Sequence, residues 1–369
     1  MKLMQNTKSY LNFIIMDFRR FFKRQIFFIF ILLQLMVISC GQKNNSIDVI
    51  LSEKDKKVDI LFDGKLFTSY IFPEDLEKPV LFPVYSSKGT VITRGYPRNP
   101  RPGERVDHPH HIGIWFNFGD VNGLDFWNNS YDIPANKKDK YGSIRHKSII
   151  EIKSGSKKGI LKVKAEWIDS KQNVLLTEET TFIFSGSENL RRIDRITVLT
   201  ALNEKVTFND CKEGLFAIRV DRAFETPINK PEIFTDANGM QTSVPIINNE
   251  GVNGIYRNSN GLEKADVWGK QANWVKLSAT KEGELISIAV FDNKNNMGYP
   301  AHWHARDYGL FAVNNMGSKS YNPGDPEFSY SLEPGQSLTF RYRFDVKSGS
   351  AMTDEEMNRE FEDFGATNP

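Results

Sequence analysis

From Ile47 to about Ser348 the chain is a succession of short runs with strand character, and this pattern limits the possible folds more than any other feature. VDILFDGKLFTSYIF, SIIEIKSG, GILKVKAEWID, TEETTFIFSG, LRRIDRITVLTAL, ELISIAVFDN, GLFAVNN and QSLTFRYRFDV follow one another. Several alternate apolar with polar residues, which is the period of a strand with one face in a core. Turn residues punctuate them at Asp63-Gly64, Ser185-Gly186-Ser187, Asn238-Gly239, Asn260-Gly261 and Pro334-Gly335. No helical period of useful length appears before Thr353-Asp354-Glu355-Glu356-Met357, which predicts an N-cap and an acidic first turn opening a helix to about Asp363. Many strands without intervening helices predict an all-β chain: one large antiparallel β-sandwich over 47–369, closed by a short C-terminal helix. Two segments stand outside the pattern. PRNPRPGERVD, Pro97 to Asp107, is rich in proline and arginine and predicts an ordered loop over one face. Residues 128–142 predict a more solvated one.

A hydrophobic content of 40% is enough to bury a real core, and it excludes disorder for the bulk of the chain. The formal net charge is +2, part of it from Arg19, Arg20, Lys23 and Arg24 near the start. No broad basic footprint for nucleic acid remains, which points to a small or neutral partner.

That basic cluster is followed by IFFIFILLQLMVIS and then Cys40, an apolar segment short for a membrane span but fitting a secretory signal. Val37-Ile38-Ser39-Cys40 resembles a lipobox. Residues 1–39 are then a lipoprotein signal peptide, Cys40 is the lipidated first residue of the mature chain, and 40–46 form a polar tether. The expected location is the cell envelope, lipid-anchored and periplasm-facing, with a signal anchor left uncut as the alternative. Met16 is a second plausible start. Cys211 is the other cysteine, and its surroundings suggest a small buried hydrophobe rather than a nucleophile.

Five of the six histidines sit in two groups, Glu104-Arg105-Val106-Asp107-His108-Pro109-His110-His111 and His302-Trp303-His304-Ala305-Arg306-Asp307-Tyr308. Histidine titrates nearest neutrality, so clustering it serves proton transfer or metal ligation. In an extended segment His108 shares a face with His110, and His302 with His304. Each pair has a carboxylate close by that could fix a tautomer. Asp210 and Glu213, in Asn209-Asp210-Cys211-Lys212-Glu213-Gly214, are further candidate bases, set on opposite faces by alternation, although a surface turn explains the segment equally well. Aromatic residues accompany these groups, among them Trp115, Trp127, Trp268, Trp303 and Tyr308, as a site for the C–H faces and hydroxyls of a sugar requires.

Seven stretches carry a resemblance to a known family. They are KPVLFPV (78–84), TRGYP (93–97), GERVDHPHHIGIWF (103–116), DVNGLDFW (120–127), CKEGLFAIRV (211–220), VWGKQANWV (267–275) and HWHARDYGLFAVNNMG (302–317). They resemble a bacterial family of largely unknown function labelled PmoA, or "methane oxygenase PmoA". The label is not taken literally, since the mature chain has no spanning segment. The resemblance implies a supersandwich similar to the galactose-mutarotase superfamily and a setting in sugar catabolism.

Three functional readings follow. The first is an envelope enzyme acting on a small-molecule carbohydrate as an epimerase, lyase or hydrolase. By resemblance to mutarotase-like sandwiches, a histidine donates a proton while a carboxylate accepts one. His110, His111, His302 and His304 are the expected acids, Asp107, Asp210 or Glu213 the base, and Arg105, Arg219, Arg306, Asp307, Trp127, Trp303 and Tyr308 the substrate contacts. No cofactor is needed. The second is a Zn-type hydrolase or lyase in which His108, His110, His302 and His304 hold a divalent metal. The third is a sugar-binding lipoprotein without catalysis.

Overall fold

A computed structural model describes residues 46–366; Cys40, the apolar segment before it and most of the tether lie outside the described residues. From Ser46 onward the chain forms one compact unit, all-β apart from short 3₁₀ turns and one C-terminal helix. Among the described residues no helix is long and apolar enough to cross a membrane.

Two eight-stranded antiparallel sheets make up the body. The first runs edge to edge through β1 (Ile47–Ser52), β2 (Lys57–Phe62), β3 (Lys65–Ile71), β4 (Val80–Val84), β5 (Ile114–Phe118), β11 (Gly214–Arg219), β16 (Leu310–Asn314) and β15 (His302–Ala305). The second runs through β12 (Ile255–Asn258), β13 (Trp274–Lys281), β14 (Glu284–Phe291), β18 (Ser337–Ser348), β9 (Leu190–Ala201), β8 (Val174–Gly186), β7 (Gly159–Ile168) and β6 (Ser143–Lys153). A ribbon of β10 (Val206–Asn209) and β17 (Ser329–Leu332) stands apart. Hairpin chemistry fixes the registers. Asp63 and Gly64, joining β2 to β3, both adopt positive φ, as do Glu282 and Gly283 between β13 and β14. Two successive left-handed residues give a turn whose twist matches that of paired strands.

The sheets pack face to face through large side chains. Phe116, Phe216, Ile218, Phe311 and Val313 of the first meet Trp167, Phe182, Leu199, Phe340 and Tyr342 of the second. The Phe216 and Tyr342 rings stack at 5.4 Å, and Phe116 lies 6.0 Å from Phe340. On its far side the second sheet carries helix α1 (Asp354–Ala366), which buries Met357, Phe361 and Phe364 against Trp274, Ala289 and Phe291. Thr353 Oγ1 accepts from the Glu356 N–H at 3.2 Å, and the Glu356 carboxylate accepts from the Thr353 N–H at 2.9 Å. These reciprocal bonds form a capping box on the N-cap that the sequence signals. The far side of the first sheet is covered by loops instead, and the candidate site lies there.

Candidate functional site

Alternation along β5, β11, β16 and β15 divides their side chains between two clusters. Phe116, Ile218, Phe311 and Trp303 point into the inter-sheet core. Trp115, Ala217 and Ala312 belong to a second cluster on the outer face, with Leu76, Val80, Phe82, Ile112 and Trp127. The pairing register aligns Trp115 with Ala217, Ala217 with Ala312, and Ala312 with His304. One lateral row therefore runs from an indole to an imidazole across two alanines. At about 4.8 Å per strand the row spans roughly 14 Å.

His304 and Glu213 form the polar end. His304 Nδ1 lies 3.5 Å from Glu213 Oε2 without hydrogen-bond geometry, and among the described residues Nδ1 is buried with no hydrogen-bond partner. Both groups thus keep capacity for a third. Burial, with Arg306 and Lys212 nearby, lowers the His304 pKa to about 3, so the imidazole is neutral at physiological pH. Burial raises the Glu213 pKa against the lowering charge of Lys212. His108 is close enough to both to perturb their ionisation.

The loop after Pro97 folds over this face through buried charge. The Arg94 guanidinium pairs with the Asp107 carboxylate and donates to the carbonyls of Asp107 (2.8 Å) and His108 (2.9 Å). Asp107 Oδ1 also accepts from Arg219 Nη2 at 2.6 Å. Burial alone would raise the Asp107 pKa, but Arg219, His108 and Arg94 hold it well below the ordinary value. Asp107 is therefore an anchoring carboxylate of little basicity, which corrects its expected role as a base. Behind it, Arg105 Nε lies 3.2 Å from Glu225 Oε2, and burial pushes the Glu225 pKa up to about 7. Arg105 is buried against that carboxylate and braces the loop instead of clamping substrate. Arg219 is fully buried, with its guanidinium 4.9 Å from the Tyr308 ring centre.

Tyr308 and the histidine loop meet here. His108, held at positive φ, stacks on Tyr308 at 4.8 Å and on His111 at 4.9 Å. His111 stacks in turn on Trp115 at 5.1 Å, with Trp127 edge-on at 5.6 Å. The two histidine segments do converge, but His108 supplies the contact. His111 is buried behind it, and His110 opens onto a different cavity lined by Lys78, Asn129 and Tyr131. Trp127 serves as backing for His111.

Other expected residues are placed differently. Trp303 projects into the inter-sheet core and donates from Nε1 to the Ala272 carbonyl at 2.9 Å, so it cannot touch a ligand on the outer face. Asp210 accepts from the backbone N–H groups of Ser318, Lys319, Ser320 and Phe328 at 2.8 to 3.0 Å; it organises that loop and is no base. His302 shares the face of His304, as alternation requires, but stacks on Tyr321 at 5.1 Å. Asp307 is exposed, and its carboxylate accepts from the Tyr308 N–H at 3.1 Å. Cys211 is half-buried, and burial drives its pKa up to about 12. Among the described residues no group of three or more His, Cys, Asp or Glu is arranged to hold a metal ion, and His108, His110, His302 and His304 do not surround one point.

Sequence reasoning missed Arg94 and Glu225 and left His108 only a metal-binding role. Arg94 stands in the TRGYP stretch, where a basic residue beside Gly95 gave the only signal. Glu225 lies in an unremarkable polar turn and gave none.

Residues 57–362 match DUF6807, described as a family of unknown function. Among curated proteins none matches. Several solved structures are similar to the chain. The galactosidase domain of the alpha-galactosidase–sucrose kinase AgaSK aligns with 81% of this chain at 9% identity and a TM-score of 0.38, and the chain covers 41% of that protein's length. A 4-alpha-glucanotransferase from Thermococcus litoralis aligns with 82% at 9% identity and 0.28, with 40% of its length covered. A galactose mutarotase related enzyme from Lactobacillus acidophilus aligns with 82% at 9% identity and 0.28, with 97% covered. Likenesses at this level transfer no feature of a site.

Proposed function

The chain belongs to the DUF6807 family, whose function is unknown, and we propose that it is a carbohydrate-active enzyme working by proton transfer between Glu213 and a sugar bound across the outer face of the first sheet. One observation carries this reading: a carboxylate of raised pKa lies 3.5 Å from a neutral imidazole, at the end of a row floored by two alanines. The two alanines add no bulk beyond Cβ along this row, and the mutually stacked Tyr308 and His108 stand beside it.

The pKa directions assign the roles. Glu213, raised towards neutrality by burial, is the group that changes charge, taking a proton from a hydroxyl or water and returning it to a departing oxygen. His304 stays neutral, and with its N–H turned to the Lys212 backbone its unpartnered Nδ1 accepts from a sugar hydroxyl and orients it towards Glu213. The rate should therefore rise with pH through a value above the ordinary carboxylate range, with no inflection from His304 near pH 6.5.

The test is conversion of a panel of glycosides and oligosaccharides, followed by NMR and mass spectrometry. Glu213→Gln should lower turnover about 10²- to 10⁴-fold, the range for loss of a positioned acid–base group. Unchanged turnover in both Glu213→Gln and His304→Gln would refute the reading. Binding without conversion by the native protein would favour the capture role. We also place the enzyme in the cell envelope, tethered through a lipid on Cys40, on the strength of the signal and lipobox pattern alone. Cys40→Ser should then release it from the membrane fraction.

A further inference from the structure

Past Trp268, where the edge strand β15 of the first sheet nears the edge strand β12 of the second, lies a cavity of about 740 Å³ that the proton-transfer reading does not use. Its lining includes Trp268, Arg306, Asp307, Tyr256, Ile255 and Pro227. Trp268 connects it to the site, its ring edge-on to His304 at 6.5 Å. The indole Nε1 is buried and has no hydrogen-bond partner among the described residues. A cavity of this size accommodates a sugar ring with its substituents.

Arg306 is the unusual member. Its guanidinium lies between two aromatic rings, 5.9 Å from the centre of Trp268 and 5.5 Å from that of Tyr308. Its backbone N–H donates to the Leu310 carbonyl at 2.8 Å, which fixes the main chain. Yet among the described residues its guanidinium has no carboxylate or carbonyl partner, whereas Arg94, Arg105 and Arg219 on the same face are each paired with an acid. Asp307, next in sequence, spends one carboxylate oxygen on the Tyr308 N–H. A planar fork of donors held on ring faces, with its hydrogen-bonding edge unengaged, is suited to bidentate capture of a carboxylate.

We propose that this cavity receives the unit of the substrate adjoining the one that reacts at Glu213 and His304, and that this adjoining unit carries a carboxylate held by Arg306. The substrate class is then an acidic glycoside, a uronate-containing oligosaccharide, rather than a neutral monosaccharide. Trp268 supplies the stacking platform and its Nε1 donor to the same unit. This inference rests on the proton-transfer reading for the neighbouring site, but its own content is a binding preference.

The preference is measurable by calorimetry with oligogalacturonides and glucuronoxylan fragments set against neutral galactan and xylan fragments of equal length. The native protein should bind an acidic set at least about tenfold more tightly, as for a bidentate charged pair. Arg306→Gln should erase that ratio while changing neutral binding less than about threefold; Arg306→Lys should retain part of it, keeping the charge but losing the fork. Trp268→Ala should weaken both classes. An acid-to-neutral ratio unaltered by Arg306→Gln would overturn the proposal, as would native preference for neutral chains or binding of none. Glu213→Gln separates the two readings. If the ratio depends on Arg306 while turnover ignores Glu213, the subsite stands and the chemistry falls; the reverse pattern keeps the chemistry and removes the subsite.

Discussion

Strands β5, β11, β15 and β16 of the first sheet and β7, β8 and β9 of the second are buried in opposite ways. In the second sheet, β7, β8 and β9 alternate buried and half-buried residues along nearly their whole length, so one face meets the core and the other meets solvent. In the first, every residue of β5, β11, β15 and β16 is buried. Both faces of those strands are covered, one by the opposing sheet and one by the loops that carry Arg94, Asp107 and His108. These strands thus lie under charged loops on the face that an ordinary sandwich leaves to water. The difference locates the site better than any single residue does.

The largest expected effect tests the inner face of the second sheet. Glu178 of β8 points inward, where it accepts from Trp167 Nε1 at 2.8 Å and pairs with Arg195 Nη2 at 2.7 Å, both side chains almost fully buried. Glu178→Ala leaves the Arg195 charge uncompensated and should cost about 3 to 5 kcal/mol in denaturant unfolding. Replacing both partners with apolar residues of similar volume should recover most of that loss. A loss below about 1 kcal/mol would mean that water reaches this pair, and the contrast between the sheets would weaken.

The outer face of the first sheet comes next. Ala217→Leu adds bulk between Trp115 and Ala312, in a row that is fully buried. It should destabilise by about 1 to 3 kcal/mol through overpacking and abolish ligand binding. Thr181→Leu on the solvent side of the second sheet should stay within about 0.5 kcal/mol. Equal penalties at the two positions would show that the outer face of the first sheet is no more enclosed than the other.

The same contrast explains what the sequence could convey. The strands of the second sheet were legible because a single buried face writes a period of two, and α1 was legible because its capping box is local. GLFAIR and IWFNF have no such period, because both their faces are buried, and they read only as apolar runs. The pairing of His302 with His304 on one face followed from alternation, yet alternation cannot tell which face turns to the core, and Trp303 was therefore assigned to the ligand. Asp210 looked like a base because its four backbone donors come from more than a hundred residues away. Glu225 pairs at 3.2 Å with Arg105, which is equally remote, and local sequence cannot report that contact.

A smaller effect probes the charge under the loop. The Glu225 pKa is raised by burial to about 7 from an ordinary 4.5. Between those values the folded chain keeps the proton that the unfolded chain has released, so this group's contribution to stability falls as pH rises through that window. Glu225→Gln should remove most of this fall across the interval, while lowering stability throughout because Arg105 loses its partner. Unfolding midpoints taken from pH 4.5 to 7.5 give the slope. A variant with the native slope would show that Arg105 and Arg219 already hold Glu225 ionised.

The smallest expected effect lies one residue from the largest. Glu179 follows Glu178 in β8 and points to the opposite face, pairing with Lys162 of β7 at 3.0 Å, with the two side chains 45% and 34% exposed. Water screens this pair, and holding two long side chains in one geometry offsets most of the attraction. A double-mutant cycle over Lys162→Ala and Glu179→Ala should give a coupling of no more than about 0.5 kcal/mol, falling with added salt. Adjacent glutamates in one strand are then separated by several kcal/mol solely through the face each occupies. On the first sheet no such asymmetry should be found, because Ala217 and Ile218 of β11 are buried on their opposite faces alike. A coupling at Glu179 as large as the loss at Glu178 would require a covered outer face over β7, β8 and β9 too, and burial would then no longer distinguish them from the strands that carry the site.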